Sequence, residues 1–350
     1  MNFNNNKQQI CFNKQPDLPR ISLTFFKRRQ KVVKRTHLEK FLANTKTNHQ
    51  FNPTLTLGLS LLFFGSSMML PVQPLAAEPI AQSLPSLKPT QPVAREQLKH
   101  GIELIQQGKL PQAIAAFRQA SRLDPQLAPA HYNLGLALRQ VGELQAAVDA
   151  FYRATQIEPQ FALAFANLGA ALFEGNNFPQ AQTYLSKAIE LDPNLGVAHY
   201  NYGLVLVQLG ELEPAIASFK NAIQLSPNAP EPAYHLGMIY LQQQNIEEAK
   251  KSFEQAIKIS PRYPEAHYNL GSILFYQEEL NAALEAFRQA AIANSNYANA
   301  YYGAGLVFLQ QNRFSDAQQV LQYARDLYRL QGNSQWVANA EQLLERTRNP

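Results

Sequence analysis

The chain has 350 residues, 46% of them apolar, and a formal charge of +5. That is enough apolar side chain for a buried core and too much for a chain disordered throughout. A single cysteine, Cys11, excludes a disulfide framework and a cysteine-based structural zinc site within one chain.

The charge is confined to one end. Residues 1–50 carry seven Lys and four Arg against Asp17 and Glu39, residues 51–77 carry no charge, and residues 78–350 carry 20 basic and 24 acidic side chains. The body therefore has no electrostatic case for gripping nucleic acid. Residues 1–54 read as a basic, mostly disordered region in which Lys27, Arg28, Arg29, Lys31, Lys34 and Arg35 cluster. The uncharged run at 55–70 and the small pair Ala76 and Ala77 follow. Basic, apolar and small-residue zones in that order are the pattern of a bacterial export signal. The run is shorter than the roughly 20 residues of a comfortable membrane span, which favours cleavage after Ala77. The uncleaved alternative is a membrane anchor with its basic end in the cytoplasm and its membrane contact limited to 55–70. Either way the rest of the chain is expected on the non-cytoplasmic side, in the periplasm or anchored to an inner or thylakoid membrane. No cysteine follows the run, so a lipoprotein anchor is excluded. Six prolines between 71 and 92 rule out a helix there, and 78–93 reads as an extended linker.

The remainder repeats every 34 residues. Glycines stand at Gly101, Gly135, Gly169, Gly203, Gly237, Gly271 and Gly305. Alanines follow 12 residues later, from Ala113 to Ala317, and again seven further on, from Ala120 to Ala324. Prolines close five of the units, at Pro125, Pro159, Pro193, Pro227 and Pro261. Within one unit, Tyr132, Leu134, Leu138 and Val141 recur at helical spacing, Gly142 suits a left-handed cap, and Ala147, Val148, Phe151, Ala154 and Ile157 form a second apolar stripe. Small residues recur where helices cross closely. A Gly inside a helix costs about 1 kcal/mol relative to Ala, so its return at one register makes sense only if close packing recovers the loss.

This pattern closely resembles the tetratricopeptide repeat (TPR) family, whose unit is two antiparallel helices. The resemblance implies an all-α fold, a right-handed superhelical solenoid of seven TPR helix pairs at 94–127, 128–161, 162–195, 196–229, 230–263, 264–297 and 298–331. Residues 332–350 are expected to supply a capping helix and tail, with Trp336, Val337, Ala340, Leu343 and Leu344 covering the open end of the stack.

In such an array the first helices line the concave side, which in the TPR family holds the bound partner. The sixth position of the units reads Asn133, Asn167, Asn201, His235 and Asn269, and the fifth reads Tyr132, Tyr200, Tyr234, Tyr268 and Tyr302, with Ala166 interrupting it. Gln140, Gln208, Gln242 and Gln310 lie on the same side two turns on. The asparagines resemble the ladder of the TPR superhelix in O-linked N-acetylglucosamine transferases, where amides hold the backbone of an extended peptide. An amide offers both donor and acceptor, which suits a backbone whatever its side chains, and tyrosines add flat contact area. The alternative is that these asparagines tie one repeat to the next. The second position, Arg95, Pro129, Leu163, Val197, Glu231, Glu265 and Asn299, lacks the basic set of a carboxylate clamp.

No pairing of nucleophile and base, phosphate loop or metalloprotease motif stands out. His131, His199 and His267 share one position two repeats apart, too far to share an ion, and are expected to fill a slot for a large aromatic. The expected function is that of a non-enzymatic scaffold with no cofactor, binding a protein or peptide partner, with no nucleic acid. Exported TPR proteins of this build resemble factors that assist assembly of membrane complexes, photosynthetic ones in cyanobacteria among them, or of export machinery. The alternative is an accessory factor that delivers a metal or cofactor to a partner enzyme or complex.

Overall fold

In this computed structural model the described residues are 92–348. The basic region, Cys11, the apolar run and the linker up to residue 91 lie outside them. Among the described residues there are fifteen α-helices. They form seven pairs: α1 (Pro92–Gln106) with α2 (Leu110–Leu123), α3 (Ala128–Gln140) with α4 (Leu144–Ile157), α5 (Ala162–Glu174) with α6 (Phe178–Leu191), α7 (Gly196–Gln208) with α8 (Leu212–Leu225), α9 (Glu231–Gln242) with α10 (Ile246–Ile259), α11 (Pro264–Tyr276) with α12 (Leu280–Ala293), and α13 (Ala298–Gln310) with α14 (Phe314–Leu330). An extra helix, α15 (Ser334–Arg348), packs on α14. No helix among the described residues is long and apolar enough to cross a membrane.

The periodic glycines are the seats on which each pair closes. A Cβ on Gly135 would stand 2.7 Å from the Phe151 ring, and one on Gly203 2.7 Å from Phe219. The same seat recurs as Gly101 on Phe117, Gly237 on Phe253, Gly271 on Phe287, and, with Leu for Phe, Gly169 on Leu185 and Gly305 on Leu321. These large side chains are 0% exposed, as are the two periodic alanines of every repeat. The helical cost of glycine is thus offset by a fully buried ring that no Cβ would admit.

Both turns of the repeat are built from local chemistry. Between the helices of a pair, one residue takes a left-handed conformation: Gly108, Gly142, Asn176, Gly210, Gln244, Glu278 and Asn312. Around Gly142 its own N–H bonds to the Arg139 carbonyl and the Glu143 N–H to Leu138, closing the helix end. Between repeats, Asp124, Asp192 and Asn294 accept from the backbone N–H two residues on. The histidines fill the expected slot and also fasten this turn. His131, His199 and His267 place Nε2 3.2, 2.9 and 3.0 Å from the carbonyls of Pro125, Pro193 and Pro261. Tyr301 donates to the Ser295 carbonyl in the same register.

The last repeat lacks its closing proline, since Arg329 stands there. There the helix runs on: α14 has 17 residues where α2, α4, α6, α8, α10 and α12 each have 14, although α12 is followed by Ser295 in the same register, so the absence of proline permits the extension and does not by itself cause it. On α15, Ala340, Leu343 and Leu344 are buried while Glu341, Glu345, Arg346 and Arg348 are exposed. Trp336 stacks on Tyr328 (centroids 5.5 Å apart) and meets Tyr302 edge-on. First helices of consecutive repeats also touch directly, α3 with α5, α5 with α7 and α11 with α13, more closely than any two second helices. The first helices therefore lie on the tighter side of the stack.

Candidate peptide-binding surface

The fifth-position tyrosines reach back onto the aromatic ring seated on the glycine. Tyr132, Tyr200, Tyr234 and Tyr268 lie 5.8, 6.0, 5.8 and 5.7 Å from Phe151, Phe219, Phe253 and Phe287. Their other sides are covered from the next turn: Phe161 on Tyr132 (4.9 Å), Tyr263 on Tyr234 (5.1 Å) and Tyr297 on Tyr268 (5.8 Å). Tyr302 sits between Tyr328 and Trp336. Tyr200, Tyr234, Tyr268 and Tyr302 are buried and Tyr132 half-buried. The flat ring faces expected to meet a ligand are thus spent on packing, between the ring seated on the glycine and side chains at or just beyond the turn into the next repeat. What remains for a ligand is the hydroxyl edge. Burial pushes the Tyr268 and Tyr302 phenols up to about 12 and raises the others as well, so all stay protonated donors.

The sixth-position asparagines first satisfy the protein. Asn133, Asn167 and Asn269 donate from Nδ2 to the carbonyls of Pro129, Leu163 and Glu265 one turn back, at 2.8, 2.9 and 3.0 Å. Asn167 also donates to the Tyr132 hydroxyl (3.2 Å) and Asn269 to that of Tyr234 (3.4 Å), each reaching into the preceding repeat. Asn133 and Asn201 are buried, and the Asn133 Oδ1 has no partner among the described residues. His235 takes the place of an asparagine in α9. Its ring stacks on Phe219 at 5.8 Å and 17°, and burial holds its imidazole down at about 4, so it is neutral at physiological pH.

Two features escaped the sequence. Arg139 forms a two-pronged, partly buried pair with Glu174 (closest approach 2.7 Å) and donates to the Asn167 Oδ1 at 3.3 Å. Glu174 in the register of Gln140, Gln208, Gln242 and Gln310 was the available signal. Gln140, Gln208 and Gln242 themselves are exposed and Gln310 is half-buried. Second, Glu231 and Glu265 stand half-buried in consecutive repeats, beside Tyr200, Tyr234 and Tyr263, and desolvation raises the Glu265 carboxyl.

Comparison with known proteins agrees with this architecture. Models described as TPR repeat match residues 101–142, 203–244 and 237–275, and tetratricopeptide-repeat models match 128–161, 162–195 and 268–331. No curated protein matches the chain. Among solved structures, PilF of Pseudomonas aeruginosa is 20% identical over 59% of this chain and 95% of its own, with a TM-score of 0.53. A tetratricopeptide repeat protein from Parabacteroides merdae is 19% identical over 73% of this chain and 99% of its own, also at 0.53. The Cut9–Hcn1 hetero-tetramer of the APC/C matches at 20% identity over 61% of this chain and 42% of its own, again at 0.53. Such identities speak for the fold alone. With glycine seats at every 34th residue and family matches through most of the described array, the chain belongs to the tetratricopeptide repeat family, whose members are typically non-enzymatic scaffolds that bind protein or peptide partners.

Proposed function

We propose that this chain is a non-enzymatic scaffold that holds an extended segment of a partner protein along its first helices. The observation that carries this reading is the row of polar groups that the first helices place one repeat apart: Asn167, Asn201, His235 and Asn269, with the tyrosine hydroxyls between them. Their spacing suits a peptide that runs along the stack and is read mainly through its backbone. The order of basic, apolar and small-residue zones in residues 27–77 supports placing the array outside the cytoplasm, where such a scaffold would assist assembly of a membrane or export complex.

The test is photo-crosslinking in cells with a reactive residue at Gln208, exposed on α7, and a control at Glu254, exposed on α10. A discrete adduct from Gln208 that Glu254 does not give is expected. No adduct from Gln208, or the same adducts from both positions, would overturn the reading. Mass spectrometry of the N-terminus of the crosslinked protein tests its export: a start at residue 78 is expected for a cleaved signal.

A further inference from the structure

The Asn-to-Tyr tie that joins repeats at Tyr132 and at Tyr234 is missing between the fourth and fifth repeats. His235 stands there instead of Asn, wedged against Phe219 with its centroid 5.9 Å from Tyr200 and 5.3 Å from Tyr234. The Tyr200 hydroxyl and the His235 ring nitrogens consequently have no hydrogen-bond partner among the described residues. The Glu231 Oε2, one helical turn before His235, is buried and also lacks a partner there. Glu265 repeats the position of Glu231 in the next unit, and among the described residues no Lys, Arg or His lies within ion-pair distance of either carboxylate.

Buried polar groups in folded proteins are nearly always partnered, so the buried and unpartnered Glu231 Oε2 at this seam calls for an explanation. Carboxylates edged by tyrosine hydroxyls share one complement, a cation that donates hydrogen bonds: the carboxylate pairs with its charge and the hydroxyl oxygens accept from it. A guanidinium fits better than an ammonium, because it is planar and forks onto oxygen pairs. We infer that the inner face of the fourth to sixth repeats, at Tyr200, Glu231, Tyr234, His235, Tyr263 and Glu265, is a subsite for arginine side chains of an extended peptide. First helices of successive repeats stack on the order of 10 Å apart. A polyproline-type peptide advances about 3.1 Å per residue with three residues per turn, so residues three apart share a face at about 9 Å. The occupant therefore carries arginines at i and i+3, one for Glu231 and one for Glu265. This rests on the proposed peptide-binding role of the first helices and adds the chemistry of the bound side chains.

The experiment measures binding of the full-length protein to labelled peptides with an Arg-Pro-Pro repeat, and to the same peptides with citrulline for arginine, which keeps the planar shape, exchanges one NH2 arm for a carbonyl oxygen and removes the charge. Arginine peptides are expected to bind at least tenfold more tightly. Glu231→Gln with Glu265→Gln should abolish that preference, while Glu254→Gln with Glu345→Gln, an equal change of charge at exposed sites, should retain it. Unchanged melting of the double variants separates loss of binding from loss of fold. Equal binding of arginine and citrulline peptides would overturn the subsite and leave the scaffold reading standing. Binding of neither would overturn both, and spermidine displacing the peptide at equal concentration would assign the site to polyamines and overturn the peptide assignment.

Discussion

The Asn167 Nδ2 lies 3.2 Å from the Tyr132 hydroxyl and so stitches the third repeat to the second. Arg139 completes the same node, bonding both the Asn167 Oδ1 and the Glu174 carboxylate. Removing the hydroxyl in Tyr132→Phe leaves the ring packing intact and breaks only the stitch. The expected loss is about 1 kcal/mol, the net worth of one such bond, read as a lower urea midpoint with an unchanged slope.

The glycine seats predict a steeper penalty. Gly237→Ala would drive a methyl to 2.8 Å from the Phe253 ring, which is fully buried and held from all sides. Overpacking of this kind costs about 1–3 kcal/mol. Gly142→Ala meets no atom but must adopt a left-handed backbone, φ +78°, which costs about 1–2 kcal/mol. Equilibrium unfolding of the two variants should show both lowered, and a shortened side chain in Phe253→Leu should soften the first and leave the second unchanged.

Stabilising changes lie in the same register. Gln244 and Glu278 hold φ of 59° and 62° where three other repeats place glycine. Gln244→Gly and Glu278→Gly should each raise stability by about 0.5–1 kcal/mol, the left-handed penalty less the greater freedom that glycine has when unfolded. The sites are far apart in sequence and in different repeats, so the double variant should show the sum, seen as an additive rise in melting temperature.

Acid should weaken the fold through His235. Its folded imidazole, lowered to about 4 by desolvation, takes up its proton later than the unfolded one near 6.5. The contribution is fully present above the unfolded value and is lost as pH falls from about 6.5 towards 4, up to about 3 kcal/mol in all. His131 is lowered in the same direction, again mainly by burial. Urea unfolding of His235→Phe across this range should show a visibly flatter pH dependence than the wild type.

The helix pairs were legible because a glycine or alanine in a tight crossing has no substitute, so Gly135, Ala147 and Ala154 return at fixed intervals and betray the packing. The turns were half legible. Gly142 announces its left-handed backbone, but Gln244 and Glu278 adopt the same conformation with side chains that do not usually take it, and only the register betrays them. The candidate site was legible in position and not in allegiance. An asparagine on the inner face reads the same whether its amide meets a ligand or, as Asn167 does, a carbonyl one turn back and a tyrosine next door. Nor could spacing reveal that Tyr200 and Tyr234 lie flat across the seams, since that depends on how closely the neighbouring repeats approach.

Trp336 is the only tryptophan of the chain, and it is clasped by Tyr302 and Tyr328 where the terminal helix meets the seventh repeat. Its fluorescence is therefore a private window on one end of the array. Fraying of α15 would register in emission colour before circular dichroism recorded any loss of helix in the middle repeats, so the order in which the stack comes apart can be watched without adding a label.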